Sequence, residues 1–112
     1  MARPPYPGRF HYFIGSKTRA LVIERLVKHP EHEPCFRELG REISAGMGAL
    51  HQELTELKRI GLVRSSTRGG ARFFSLDLNH PLAGPLCALV AACDQVDEYE
   101  RAMHTNARSR GV

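Results

Sequence analysis

Cysteine is scarce in this chain and badly spaced for cross-linking. Cys35, Cys87 and Cys93 are odd in number and irregularly separated, which excludes a disulfide framework as the basis of the fold. No apolar run reaches the roughly 18 residues a membrane-spanning helix needs. The N-terminal stretch has no apolar core of the kind a secretory signal requires. A cytoplasmic protein is therefore the simplest expectation. Internal repeats and low-complexity tracts are missing too. Acidic residues are absent from the first 13 positions, and none follows Arg64 until Asp77. What remains is a basic chain of 112 residues with a net charge of +4 and a pI near 9.3, the balance of a protein that meets a polyanion. Its length suits one domain. A hydrophobic content of 42% permits a core, though a modest one in so short a chain.

The most informative stretch runs from Phe36 to Leu78. Phe36, Leu39 and Ile43 give one short helix an apolar side, with Arg37, Glu38, Arg41 and Glu42 facing out. Ser44-Ala45-Gly46 supplies the small residues of a tight corner. In the next helix Leu50, Leu54 and Leu57 recur at spacings of 4 and 3 and share one face. The opposite face carries Gly48, Gln52, Thr55 and Arg59, flanked by His51 and Lys58, with no carboxylate at its centre. Gly61 stands where a C-terminal cap belongs. Two strand-like runs follow, Leu62–Ser66 and Ala71–Leu76, joined by a turn at Thr67-Arg68-Gly69-Gly70. Arg64, Arg68 and Arg72 are expected to cluster on this hairpin. Helix, turn, helix, hairpin in this order is the sequence form of a winged helix-turn-helix.

Around this unit the chain is expected to divide into an N-terminal arm (1–15), the winged helix-turn-helix unit (16–80), expected to bind DNA, a long C-terminal helix (81–104), expected to dimerise, and a flexible tail (105–112). Prolines keep the arm extended. Arg3 and Arg9 suit phosphate, while Phe10, Tyr12 and Phe13 are expected to pack on the core or on a second subunit. Ser16 caps a first helix running to about His29, with Ala20, Ile23, Leu26 and Val27 as its buried side. His29, His32 and Cys35 are metal-ligand types in one loop, but no fourth ligand is evident and an exposed loop with Cys35 half buried is favoured. In the last helix Leu82, Leu86, Leu89, Cys93, Val96, Glu100 and Met103 form a heptad-like stripe. All of these except Glu100 are expected at a dimer interface. Cys87 and Cys93 are read as small hydrophobes.

The chain resembles winged-helix transcription regulators of the ArsR and MarR kind, and within them the small winged-helix modules that accompany nucleotidyltransferases. Gly15-Ser16-Lys17-Thr18-Arg19, Arg37-Glu38-Leu39, Arg41-Glu42-Ile43, Gly48-Ala49-Leu50, Glu53-Leu54, Leu57 and Gly61-Leu62-Val63-Arg64 carry the resemblance over about residues 13 to 86. Gly46 and Met47 depart from it, where the family favours a Ser cap and Pro. The resemblance implies a sequence-specific regulator of double-stranded DNA, acting as a homodimeric repressor. Met47, His51, Gln52 and Thr55 are then expected to face bases from a helix of about 47–60. Lys17, Arg37, Arg41, Lys58, Arg64, Arg68 and Arg72 are expected on phosphates or in the wing. Asp94, Asp97 and His104 fall where some relatives hold metals, but their spacing fits poorly and a solvated acidic face is favoured. Gly15-Ser16 resembles the start of a nucleotidyltransferase phosphate loop; without a downstream Asp-x-Asp pair to hold Mg²⁺, no enzymatic activity, cofactor or metal is assigned. The competing reading is a winged-helix adaptor or antitoxin-like partner of a separately encoded enzyme.

Overall fold

A computed structural model describes Phe10 and residues 14–109, apart from the side chains of Asp97 and 104–109. Its elements are α1 (Lys17–Lys28), α2 (Phe36–Ile43), α3 (Met47–Arg59), β1 (Val63–Arg68), β2 (Ala71–Leu76) and α4 (Ala83–Ser109). The arrangement is mainly helical with one antiparallel hairpin, the winged helix-turn-helix expected from the pattern.

Helix α1 starts as the sequence dictates: the Ser16 hydroxyl accepts from the Arg19 N–H at 3.2 Å, satisfying one of the donors a helix N-terminus leaves over. Its burial differs from the expected stripe. Every residue from Ala20 to Leu26 is buried, Glu24 and Arg25 included, and Val27 is only partly so. The reason is position. α1 lies against α2, α3, β2 and α4, so it has almost no solvent side. Arg25 makes an ion pair with Glu42 and donates to the carbonyls of His29 and His32, so that its buried charge is met from α2 and from the loop. Phe10 reaches this core and is fully buried. Arg3, Arg9, Tyr12 and Phe13 lie outside the described residues.

The two corners are closed by backbone geometry. Ser44, after α2, sits at φ 55°, while the Ala45 N–H returns to the Gly40 carbonyl at 3.2 Å. At the end of α3, Gly61 has φ 84°. Its N–H donates to the Lys58 carbonyl and that of Leu62 to the Leu57 carbonyl, both at 3.0 Å. This is the bonding pattern of a Schellman cap, with buried Leu57 and Leu62 as its apolar pair. Next to it His80 closes the far end of the unit. Its Nδ1 accepts from the Leu82 N–H at 3.1 Å, which leaves Nε2 to donate to the Ile60 carbonyl at 2.9 Å.

The hairpin turn is tighter than expected. Both strands run up to Gly69-Gly70, with Arg68 opposite Ala71, and the two glycines, at φ 55° and 80°, make the two-residue connection whose twist suits paired strands. The last helix begins at Ala83 and continues to Ser109, so that 105–109, expected in a flexible tail, extend it by more than one turn. It spans about 40 Å at 1.5 Å per residue. Ala83, Val90 and Cys93 enter the chain's own core, and Lys28 pairs with Asp94 at 3.1 Å to fix α4 against α1.

Ser44 holds a left-handed conformation that glycine adopts without a Cβ penalty. Ser44→Gly is expected to raise stability by about 0.5–1 kcal/mol. Gly61→Ala is expected to lower it by about 1–2 kcal/mol. Urea unfolding of both variants checks the pair; equal and opposite signs to these would show that the caps carry no conformational selection.

Candidate nucleic-acid interface

The exposed side of α3 is set by the burial of Leu50, Leu54 and Leu57 on the other. His51, Gln52 and Thr55 stand in solvent. The Thr55 hydroxyl donates to the His51 carbonyl one turn back at 2.8 Å, so it offers an acceptor outward. Met47 is 51% exposed, but its sulfur also lies by Gly40, 3.6 Å from where a Cβ would be. A Cβ at Gly40 would also come within 3.3 Å of Leu50 Cδ2, so the glycine leaves room for both α3 side chains. Arg59, also on the outer face, is not a free cation. Glu56 pairs with it at 2.9 Å; the Arg59 hydrogen bond, followed by its charge, holds the Glu56 carboxyl below the ordinary glutamate range. Periodicity left the centre of this face without a carboxylate, and Glu56 lies just beside it.

Beside its buried leucines, α3 is tied to α1 by a pair of residues that periodicity did not single out. Arg19 Nε donates to Glu53 Oε2 at 2.7 Å, and Ser16 Oγ donates to Glu53 Oε1 at 3.2 Å. Glu53 is thereby tied to the first turn of α1. Both residues lie in motifs that carry the family resemblance, but only the fold shows that they meet.

The expected basic cluster on the wing is divided. Side chains alternate along paired strands, and Val63, Phe74 and Leu76 mark the inward face. In the register Thr67 opposite Arg72 and Ser65 opposite Phe74, Arg72 shares that inward face, with its guanidinium 5.9 Å from the Phe74 ring centroid. Arg64 and Arg68 alternate to the outer face with Phe73. Arg68 lies 4.1 Å over the Phe73 ring and pairs with Glu33 of the loop before α2 at 2.8 Å. One expected phosphate cation is therefore already engaged. Lys17, Arg37, Arg41, Lys58, Arg64 and Arg72 have no ion-pair partner among the described residues.

A cleft of about 750 Å³ separates α3 from the wing. It brings together His51, Thr55, Lys58, Arg37 and Arg72, drawn from α2, α3 and β2, with Cys35, Phe36, Leu54 and Phe74 beneath them. Lys17, Arg41, Arg64, Arg68, Met47 and Gln52 do not line it. The loop ahead of α2 closes one side of this cleft: Cys35 bridges to Phe73 and the Phe74 N–H donates to the Pro34 carbonyl at 3.0 Å. Glu38 accepts from the Cys35 N–H at 3.2 Å. His32, bonded to the same carboxylate at 3.1 Å, is the main cause that keeps Glu38 below the ordinary glutamate range. His29 is 3.6 Å from Glu31. No group of three His, Cys, Asp or Glu side chains among the described residues could hold a metal, so His29, His32 and Cys35 do not assemble.

The stripe on α4 also divides. Leu86 and Leu89 are partly buried against the core, and Cys93 is buried within it, so Cys93 serves its own domain rather than an outer seam. Leu82, Val96 and Met103 are about half exposed, and Tyr99 beside them more so. At about 100° per residue, Leu82, Leu89, Val96 and Met103 lie together on one side of Val90. The heptad signal thus mixed an inward set with an outward one. Asp97 and His104 have side chains outside the described residues.

No family model matches this sequence, and no curated protein matches it. Solved structures share its fold. MepR, a transcription regulator of the Staphylococcus aureus multidrug efflux pump MepA, superposes with a TM-score of 0.60 at 14% identity, over 86% of this chain and 68% of that one. Lactococcus lactis ZitR in complex with DNA gives 0.59 at 16% identity, over 80% of this chain and 61% of that one; ZitR is a zinc-responsive MarR family member. Mycobacterium tuberculosis Rv0081 gives 0.58 at 23% identity, over 86% and 89%. At these identities the likeness is one of fold.

The Arg68–Glu33 pair is exposed on both sides, so it holds the wing weakly. A double-mutant cycle of Arg68→Gln and Glu33→Gln, read by urea unfolding, is expected to give a coupling of about 0.2–1 kcal/mol that fades at high salt. A larger, salt-independent coupling would mean the arginine is committed to the loop.

Proposed function

We propose that this chain is a homodimeric, sequence-specific regulator of transcription that binds double-stranded DNA and has no catalytic activity of its own. α3 enters the major groove, the wing holds flanking DNA, and repression follows from occupying the promoter. Kinship with MarR- and ArsR-like regulators, and with the small modules that accompany nucleotidyltransferases, is part of the same proposal, as is a cytoplasmic location.

The observation that carries it is the distribution of unpaired charge. Arg37, Lys58 and Arg72 converge on the cleft between α3 and the wing, and no carboxylate among the described residues lines that cleft. Polar groups without charge, Gln52 and Thr55, occupy the exposed crest of α3. Cations beside a helix whose crest offers amide and hydroxyl groups suit the division of labour in DNA recognition, in which phosphate contacts position and base contacts specify. The fold shared with a ZitR–DNA complex supports the same placement. The half-exposed apolar residues Leu82, Val96 and Met103 on one side of α4 support pairing with a second copy.

Selection from a random duplex library, followed by salt titrations on the selected and a scrambled duplex, tests the reading. Gln52→Ala should lose roughly 1–3 kcal/mol on the selected site and little on the scrambled one. Arg72→Ala should weaken both and lower the slope of log K against log salt by about one unit for each phosphate no longer neutralised. Glu33→Gln, which releases Arg68, should strengthen both duplexes. A wild-type chain that shows no affinity for any duplex would replace the regulator with a protein-binding adaptor.

Oligomeric state is a separate measurement. Val96→Glu places a charge on the outward side of α4, away from the core, and sedimentation should show a monomer where the wild type is a dimer. A wild-type monomer at high micromolar concentration ends the dimer proposal.

A further inference from the structure

Among the described residues three glycines lie inside helices: Gly40, Gly48 and Gly84. Each needs a reason, because glycine is a poor helix former that gives up more conformational freedom on folding than any other residue. Gly40 has its reason in packing, since it leaves room for Leu50 and Met47 of α3. Gly84 has its reason in the chain: Pro85 follows it, and a proline ring crowds the Cβ of a helical residue before it. Gly48, the second residue of α3, has neither. Its φ is not positive, Ala49 follows it, and no side chain or other element lies within 4 Å of where its Cβ would stand. Alanine would fit there and would hold the helix better. The fold does not call for this glycine. A bare position of this kind is of use where something outside the chain comes close to the backbone.

The place of Gly48 says what that is. It stands one turn before Gln52 and two before Thr55 on the same exposed line of α3. Gly46 and Ala49 beside it are also short and exposed. The Met47 sulfur lies by Gly40, and the first turn of α3 carries no acid. The crest is therefore low at its leading end and rises at Gln52. A recognition helix meets base edges with its N-terminal residues, and backbone without a side chain can come nearest to them. We propose that Gly48 is a specificity-determining residue: α3 seats in the major groove with its first turn deepest, and a base edge fills the space of the missing Cβ. This placement rests on the regulator reading.

Gly48→Ala and Gly48→Leu test it, by urea unfolding and by titration on the selected and scrambled duplexes at one salt concentration. Both variants should raise the urea midpoint, by roughly 0.2–1 M. Gly48→Ala should bind the selected duplex about tenfold more weakly, and Gly48→Leu more weakly still, while the scrambled duplex loses less than about threefold. A gain in stability together with a loss on one duplex separates steric exclusion from damage to the fold. Unchanged affinity of Gly48→Ala for the selected duplex overturns the close approach, as does an equal loss on both duplexes. A lowered urea midpoint overturns it too, because the fold itself would then need the glycine. In each of these cases the regulator stands if Gln52→Ala still loses the selected site. A wild-type chain that binds no duplex removes both.

Discussion

The burial of α1 on nearly every side is the constraint that the rest of the domain answers to. A central helix carrying Glu24 and Arg25 must satisfy charge inside a small core, and removing one partner of a buried pair is far more costly than losing a surface one. Arg25 is met by Glu42 from α2 and by two carbonyls from the following loop. Lys28 is met by Asp94 from α4, and Arg19, at the exposed start, by Glu53 from α3. One helix therefore sets the positions of three others through charges placed along its length. The helix that carries the exposed crest is oriented by this arrangement, not by its own leucine stripe alone.

The elements themselves were legible because local chemistry fixed them. Ser16 before α1, Gly61 after α3 and the glycine pair of the wing each mark a place where the backbone needs a cap or a positive φ. The leucines of α3 gave its inner face directly. What the sequence hid were properties that depend on two elements at once. Arg64, Arg68 and Arg72 look like one cluster in a line of text, yet strand alternation puts Arg72 inward and the other two outward. Glu33 lies 35 residues from the arginine it binds. Likewise the α4 stripe looked single because a seven-residue repeat cannot tell a face that meets its own core from one beside it. Leu86 and Cys93 belong to the first, Val96 and Met103 to the second. The stripe of α1 found Ala20, Ile23 and Leu26 but was too narrow, because a helix packed on nearly every side offers little contrast for periodicity to detect.

The loop before α2 does more than connect. Pro34 and Cys35 bond to the strand that carries Phe73 and Phe74, so the wing is held at its base by backbone and, through Arg68 and Glu33, more loosely on its outer side. Its inner face is left open toward α3, and the space between them is walled by rings and cations. A wing fixed at the root with an open inner side can present its arginines without ordering a long loop at the moment of contact, which limits the entropic cost of binding.

The His80 ring has a mechanical consequence. It joins the carbonyl that follows α3 to the residue that precedes α4 through both of its nitrogens, beside a glycine corner with no side chain of its own to flex against. Crest and long helix are thus geared together. In a pair of such chains, the span between the two crests would be set by how the long helices cross. If the proposed dimer meets half-sites one helical turn of DNA apart, about 34 Å, it measures them off as a caliper does, whose jaws change their gap when its arms rotate.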